Sequence, residues 1–365
     1  MKSADAEAFR AELRAWLAQH PPPAIAIAAT PADAGVLREW QRSLHAGGWV
    51  GLHWPAAYGG RDASPAEVAI YNEELARAGA PPLLGGVGVT LVGPTLIAHG
   101  TDEQRKRWMP RILGADDVWC QLFSEPGAGS DLAGLSTRAD KRGDVYVVTG
   151  QKVWCTHAQF ADWGVALVRT DPSAPKHKGI SMLAVPMRAA GVEVRPLRQM
   201  TGESEFNEVF LDEVEVPDEN LIGPENDGWR VAATTLANER GGAFIWREQV
   251  RAEVASESLR KTCAEAGLGS DPRVRQRLVR SWIDVELFGR AGGEPSLVKL
   301  RWAGASQGLY ETACDLLGPE PLVSGEWTHG LLSSRANSIM GGTSEIQRNI
   351  IGEQLLGLPR EPRQP

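Results

Sequence analysis

Cysteine, tyrosine and phenylalanine are all scarce in this chain of 365 residues. The four cysteines, Cys120, Cys155, Cys263 and Cys314, are scattered without metal-ligand spacing. That argues against a zinc site or a disulfide framework and fits a reducing cytoplasm. No apolar run reaches the roughly 18 residues that a membrane-spanning helix needs, so no membrane span is expected. No long basic run appears and the formal net charge is −8, which argues against nucleic acid as the main partner. The start, Met1-Lys-Ser-Ala-Asp-Ala-Glu-Ala-Phe-Arg10, is polar and helical and lacks the apolar stretch of a signal peptide. No internal repeat is evident.

What is present is a change of pattern along the chain. Residues 1–118 read as an N-terminal helical domain. Phe9, Leu13 and Trp16 recur at helical spacing, Pro21–Pro23 ends that first helix, and Thr101-Asp-Glu-Gln104 is a capping box opening an amphipathic helix toward Leu113. Residues 119–220 read as a central β-domain. Its β-rich runs at 145–149, 164–168, 180–185 and 209–214 are separated by Gly, Pro and Asp clusters. Residues 221–365 return to helices: a long one from Gly228 past Glu248, others before Gly318 and after Ser344, and a short disordered tail marked by Pro359, Pro362 and Pro365. Segregated helices and strands predict an α+β fold and not alternating βαβ units.

The chemistry concentrates in residues 121–156. Gln121-Leu-Phe-Ser-Glu-Pro-Gly-Ala-Gly-Ser-Asp-Leu-Ala-Gly134 is a Ser/Gly-rich turn, and Gly150-Gln-Lys-Val-Trp-Cys-Thr156 follows about two dozen residues later. Small residues (Gly127, Gly129, Ser130) let backbone amides approach a ligand. Trp154 offers a flat face, and Thr156, two residues on in a strand, points the same way. A hydroxyl there can bond a ring nitrogen, so the pair suits a flavin. The plainer alternatives are a core tryptophan and serines that merely satisfy a turn.

These blocks resemble the acyl-CoA dehydrogenase flavoproteins over nearly the whole chain. Gly48-Trp49, Trp54-Pro-Ala-Ala-Tyr-Gly-Gly60, Gly202-Glu-Ser-Glu-Phe-Asn-Glu-Val-Phe210, Gly228-Trp229 and Gly341-Gly-Thr-Ser-Glu-Ile-Gln-Arg348 fit in the same order. The resemblance implies an N-terminal helical domain, a central β-barrel-like domain and a C-terminal four-helix bundle. It implies FAD as cofactor, an acyl-CoA substrate, an electron-transfer flavoprotein as electron acceptor, and a homo- or hetero-tetramer. It places Leu122, Phe123, Ser124, Gly129, Ser130, Trp154, Thr156, Thr343 and Glu345 at the flavin, with Ser130 also near substrate. The plainer alternative for Thr343 and Glu345 is helix capping.

The chain departs from the commonest family pattern at the base. Many members carry a Glu just before Gly-Thr-Ser, and Gly341 stands there in this sequence. The resemblance implies that its backbone N–H remains as the donor to the thioester oxygen. A family subset that includes branched-chain and steroid-side-chain enzymes places the base on the helix after the β-domain, directly before a substrate-binding Arg. Glu239 and Arg240 match those positions, so Glu239 is expected as base and Arg240 as a substrate contact toward CoA. The family's motifs for the ADP end of the flavin survive as echoes in Arg260-Lys-Thr-Cys263 and Asp315-Leu-Leu-Gly-Pro319, and the basic cluster Asp271–Arg277 suits either a pyrophosphate or a solvated helix face. Two alternatives follow: a flavin monooxygenase on the same fold, or one subunit of a heteromeric acyl-CoA dehydrogenase.

Overall fold

The computed structural model describes residues 3–25, 27–239, 242–290, 294–319, 323 and 325–360. The side chains of residues 3, 4, 239, 242–246, 289 and 290 lie outside that description. Helices α1 (Ser3–Gln19), α2 (Pro31–Ala46), α3 (Pro65–Arg77), α4 (Gly93–His99) and α5 (Asp102–Leu113) precede the strands. The expected capping box forms: Thr101 accepts from the Gln104 amide and the Gln104 side chain accepts from the Thr101 amide. Thr30 and Asp33 make the same reciprocal arrangement at the start of α2. Both boxes use donors that a helix start otherwise leaves unpaired.

Seven strands follow: β1 (Trp119–Leu122), β2 (Arg138–Arg142), β3 (Val145–Thr156), β4 (Trp163–Arg169), β5 (Ile180–Pro186), β6 (Val192–Pro196) and β7 (Phe206–Pro217). They form one sheet ordered β1-β4-β2-β3-β7-β6, with β5 also paired to β4. The pair β1–β4 is parallel, while β2–β3, β3–β7, β4–β5 and β6–β7 are antiparallel. The curled sheet closes over Leu122, Tyr146, Val148, Cys155, Leu183, Val209 and Val214, which are buried together. All four β-rich runs of the sequence are strands. The short strands β1, β2 and β6 are additional, and β2 and β6 are too charged to stand out by composition.

The remaining helices are α6 (Gly228–Glu239), α7 (Gly242–Glu265), α8 (Pro272–Arg290), α9 (Pro295–Leu317), α10 (Glu326–Ser334) and α11 (Ser344–Ile350). The single long helix expected from Gly228 past Glu248 is thus described as two, with Arg240 and Gly241 outside the described residues. The proline-bearing tail past residue 360 is outside them as well.

Two units form. The first comprises residues 1–68 and 78–239, and the second residues 69–77 and 240–365. In the first, α6 is tied to α4 by the buried Thr95–Thr235 hydroxyl pair at 2.8 Å and by His99 Nε2 to Thr234 Oγ1 at 2.7 Å. In the second, Ala255, Leu259 and Cys263 of α7 meet Leu309 and Ala313 of α9, with Leu278 of α8 and Trp327 of α10 packed alongside. A second apolar cluster, Phe288, Val298, Trp302 and Ala305, joins α8 to α9. N-terminal helices, a β half-barrel and C-terminal helices are therefore the architecture, as the sequence led one to expect. Among the described residues, no helix is long and apolar enough to cross a membrane.

Candidate functional site

The first unit brings the two halves of the 121–156 motif together. Strand β1 ends at Leu122, and the chain then turns at Glu125–Ala128, where each residue's amide donates to the other's carbonyl at 3.1 and 3.0 Å. The Val153 amide donates to Ser124 O at 2.9 Å, so the turn is stitched to β3. Leu122 and Phe123 are buried, Ser124 is half-buried, and Gly127, Gly129 and Ser130 are exposed. A Cβ added at Gly127 or Gly129 meets nothing within 4 Å, and neither has a positive φ. Neither glycine is thus required by its own packing or dihedral angle. The open space beside them suits a ligand approaching the main chain.

Trp154 owes its position to a β-bulge. The register passes from Lys152↔Val209 to Cys155↔Asn207, so β3 spends one residue more than β7 over that step. Trp154 takes φ +61, in the left-handed region, and is 61% exposed. Before the bulge Tyr146, Val148 and Lys152 face inward, and after it Cys155 does. The extra residue switches the inward phase, which turns the indole out of the sheet. Phe206 meets the Trp154 ring edge-on at 5.9 Å. Thr156 is half-buried on the same outward phase. A large exposed indole on a left-handed residue is a departure from ordinary strand packing, and such departures collect at functional sites.

Beneath this surface lies a feature that the sequence reading missed. Lys152 is fully buried. Its Nζ donates to Phe123 O at 3.2 Å, Glu125 Oε1 at 2.8 Å and Leu167 O at 2.7 Å. Glu125, also buried, accepts from Thr137 N at 2.9 Å and from both Ser136 N and Ser136 Oγ at 2.7 Å. Burial alone pushes the Glu125 carboxyl upward, but the Lys152 charge and the hydrogen bonds from Lys152, Thr137 and Ser136 outweigh it and take it down to about 2. Burial lowers Lys152, and Glu125 opposes that shift. The pair stays charged because its polar atoms are supplied with partners. Next to Thr156, His157 has φ +54 and a sealed Nε2 with no partner among the described residues. Burial lowers its imidazole to about 4.

The second unit carries Gly341, Thr343 and Glu345. Gly341 and Gly342 are consecutive left-handed residues at φ +62 and +88. Gln347 Nε2 donates to Gly341 O at 3.0 Å and Gly342 O at 3.3 Å, and Lys299 Nζ donates to Gly342 O at 2.7 Å. A trans peptide points its N–H opposite its C=O. Holding both carbonyls toward Gln347 and Lys299 therefore turns the following amides, of Gly342 and Thr343, the other way. Thr343 caps α11 by accepting from Ile346 N. Glu345 is exposed and pairs with Arg348 at 3.2 Å. A cap at a helix start can also border a ligand, so the Thr343 hydroxyl's capping bond is compatible with a place beside one.

Glu239 is the last residue of α6, one turn beyond the buried Thr235, and its side chain lies outside the described residues together with all of Arg240. The residues considered for the ADP end are engaged locally. Arg260 pairs with Glu257 at 2.5 Å, Arg273 with Asp271 at 3.0 Å, and Arg277 with Asp315 at 2.6 Å. Arg275 donates to the carbonyls of Gly269 and Ser270. These contacts favour the solvated-face reading of that cluster.

Comparison with known proteins gives a consistent result. Three family models match: acyl-CoA dehydrogenase N-terminal domain over residues 3–116, middle domain over 120–214 and C-terminal domain over 287–356. The chain is 40% identical to acyl-CoA dehydrogenase IpdE1 of Mycobacterium tuberculosis, over 98% of this chain and 99% of that one. It is 42% identical to acyl-CoA dehydrogenase FadE34 of the same organism, over 92% of this chain and 48% of the relative. Among solved structures, the Tcur3481-Tcur3483 steroid ACAD matches with a TM-score of 0.85 and 31% identity, covering 99% of each chain. The ChsE4-ChsE5 complex from Mycobacterium tuberculosis matches with a TM-score of 0.84 and 31% identity, again covering 99% of each chain.

Proposed function

The chain belongs to the acyl-CoA dehydrogenase family, and from that premise we propose that it is an FAD-dependent enzyme converting an acyl-CoA thioester to the trans-2-enoyl-CoA. The observation that carries the cofactor assignment is the outward Trp154 on its bulge, stitched to a turn whose glycines open onto free space. FAD, when bound, supplies N5 as the acceptor of the β-hydride. Leu122, Phe123 and Ser124 offer backbone groups beside it, Trp154 a stacking face and Thr156 a hydroxyl. Gly129 and Ser130 line the turn, and Thr343 and Glu345 match positions at which the family contacts its flavin.

Glu239 takes the α-proton. That proton is weakly acidic, so its removal needs a carboxylate beside Cα and a donor at the thioester oxygen, where negative charge grows. The Gly341 backbone N–H is that donor. Arg240 binds the CoA portion, and Ser130 borders the substrate. An electron-transfer flavoprotein in the cytoplasm would be the electron acceptor. The helix-borne Glu239 and the likeness to a steroid ACAD favour a bulky, ring-bearing acyl group over a short straight one. The local engagement of Arg260, Arg273 and Arg277, with the likeness to the ChsE4-ChsE5 complex, favours a tetramer in which a second kind of subunit completes the ADP end.

The test is the visible spectrum of the purified protein, wild type beside Glu239→Gln, before and after adding steroid-derived and straight-chain acyl-CoAs. Bleaching of wild-type flavin by a ring-bearing thioester, with binding but no bleaching in Glu239→Gln, is the expected result. Flavin that no thioester bleaches and that reoxidises rapidly in air would favour the monooxygenase. A chain that is colourless alone and yellow when produced with a second subunit would establish the heteromer.

A further inference from the structure

We propose that the buried Lys152–Glu125 pair is a positioning device for the cofactor, setting the distance between the Leu122–Ser124 ledge and the Trp154 platform. The inference rests on the flavin reading above. It starts from where the pair's bonds end. One ammonium and one carboxylate tie together the ledge at Phe123, the Gly-rich turn at Glu125, its far side at Ser136 and Thr137, strand β3 at Lys152, and strand β4 at Leu167. Lys152 is the last paired residue before the bulge that turns Trp154 outward. Phe123 lies in the middle of the ledge, and its carbonyl is drawn in by Lys152. Since the peptide is planar and trans, the Ser124 N–H is turned away from Lys152.

The chemistry of the pair argues for placement over bulk stability. A buried ion pair is generally no better for stability than apolar residues of the same volume, because two charges must leave water. What an ion pair does supply is direction: a carboxylate with four donors and an ammonium with three acceptors admit one arrangement of the segments around them. Those segments are the ones that present the ledge and the indole. Glu125 sits in the Pro-Gly turn itself, so a loosened carboxylate releases the turn that opens beside Gly127 and Gly129.

The test removes both charges together with Lys152→Met/Glu125→Gln in the full chain, so that neither is left buried alone. Three quantities are read: apoprotein melting, hydrogen exchange in peptides spanning 121–137 and 150–156, and FAD affinity with its visible band shape. Val214→Ala, a core change in β7 that removes none of the hydrogen bonds of the pair, serves as the control for general destabilisation. The expected result is a folded double variant with faster exchange in those two segments alone, an FAD affinity weaker by at least about tenfold, and a band shape closer to that of free FAD. Val214→Ala should keep the affinity and band shape of wild type. A double variant that binds FAD as wild type does, with the same band shape, would overturn the positioning role while leaving the dehydrogenase reading intact. A loss of affinity of equal size in Val214→Ala would overturn it too. Wild type that binds no FAD, alone or with a second subunit, would sink the cofactor reading and this inference with it.

Discussion

Replacing Trp154 by alanine and, separately, by glycine should order the two apoproteins opposite to an ordinary strand. In a regular strand, glycine is the worse choice by roughly 0.5–1 kcal/mol, because the unfolded chain gains freedom. At Trp154 the backbone sits at φ +61. There an L side chain suffers a clash of roughly 1–2 kcal/mol that glycine escapes. At mid-range the difference leaves glycine ahead by about 0.75 kcal/mol. At 61% exposure the indole fills little of the core, and both truncations lose the same contact with Phe206, so these effects cancel between the two variants. For a unit of this size the gap corresponds to a melting difference of roughly 1–4 °C in favour of glycine. Thermal unfolding of the two apoproteins side by side is the assay. An alanine variant that melts at or above the glycine variant would show that the bulge does not hold this residue left-handed, and the argument for an imposed outward indole would fail. Both variants should bind FAD more weakly, by roughly tenfold, from loss of aromatic contact worth about 1 kcal/mol and the area beneath it.

Other outcomes are open to direct measurement. His157 is neutral when folded down to about 4, against an ordinary value of 6.5, so between those values only the unfolded chain takes up the proton. The His157 contribution to wild-type stability should be lost as pH drops through that window and stay constant below it, and His157→Asn should flatten this limb in a pH series of denaturant titrations. A second acid limb should follow as pH falls from 4.5 toward about 2, where Glu125 is ionised in the folded state and protonated in the unfolded one. It should be absent from Lys152→Met/Glu125→Gln. Gly341→Ala should lower stability by about 0.75 kcal/mol in urea, since the clash of a Cβ at φ +62 outweighs the smaller entropy that alanine loses on folding. Arg277→Met should change FAD affinity by less than about twofold by fluorescence titration, because Arg277 is held by Asp315 on an exposed face.

Much of this was legible from the chain. Strong β-formers at 145–149, 164–168, 180–185 and 209–214 marked four strands, and the Thr101–Gln104 box marked a helix start to the residue. The Trp-x-Thr context led one to expect an indole face open to a ligand, and Trp154 is largely exposed. The physical reason was not legible, because a bulge is a relation between two strands and Val153-Trp-Cys carries no local sign of it. The Lys152–Glu125 pair was missed for a related reason. A Glu in a Pro-Gly turn and a Lys in a strand each read as solvated. One signal was available: counting by twos from Tyr146 and Val148 places Lys152 on the inward side, where an amine must find partners. Lys299 and Gln347, which hold the Gly341–Gly342 carbonyls, come from separate helices and have no sequence pattern that links them.

The two left-handed glycines also bear on how this site changes over generations. Once position 341 adopts a backbone that only glycine takes comfortably, every side chain offered there by mutation arrives with a penalty, a carboxylate included. A carboxylate introduced at 341 by one substitution would sit on a strained residue unless the peptide that Gln347 and Lys299 hold were remodelled with it. Placing a proton acceptor there by design therefore calls for changing the two anchors along with the glycine.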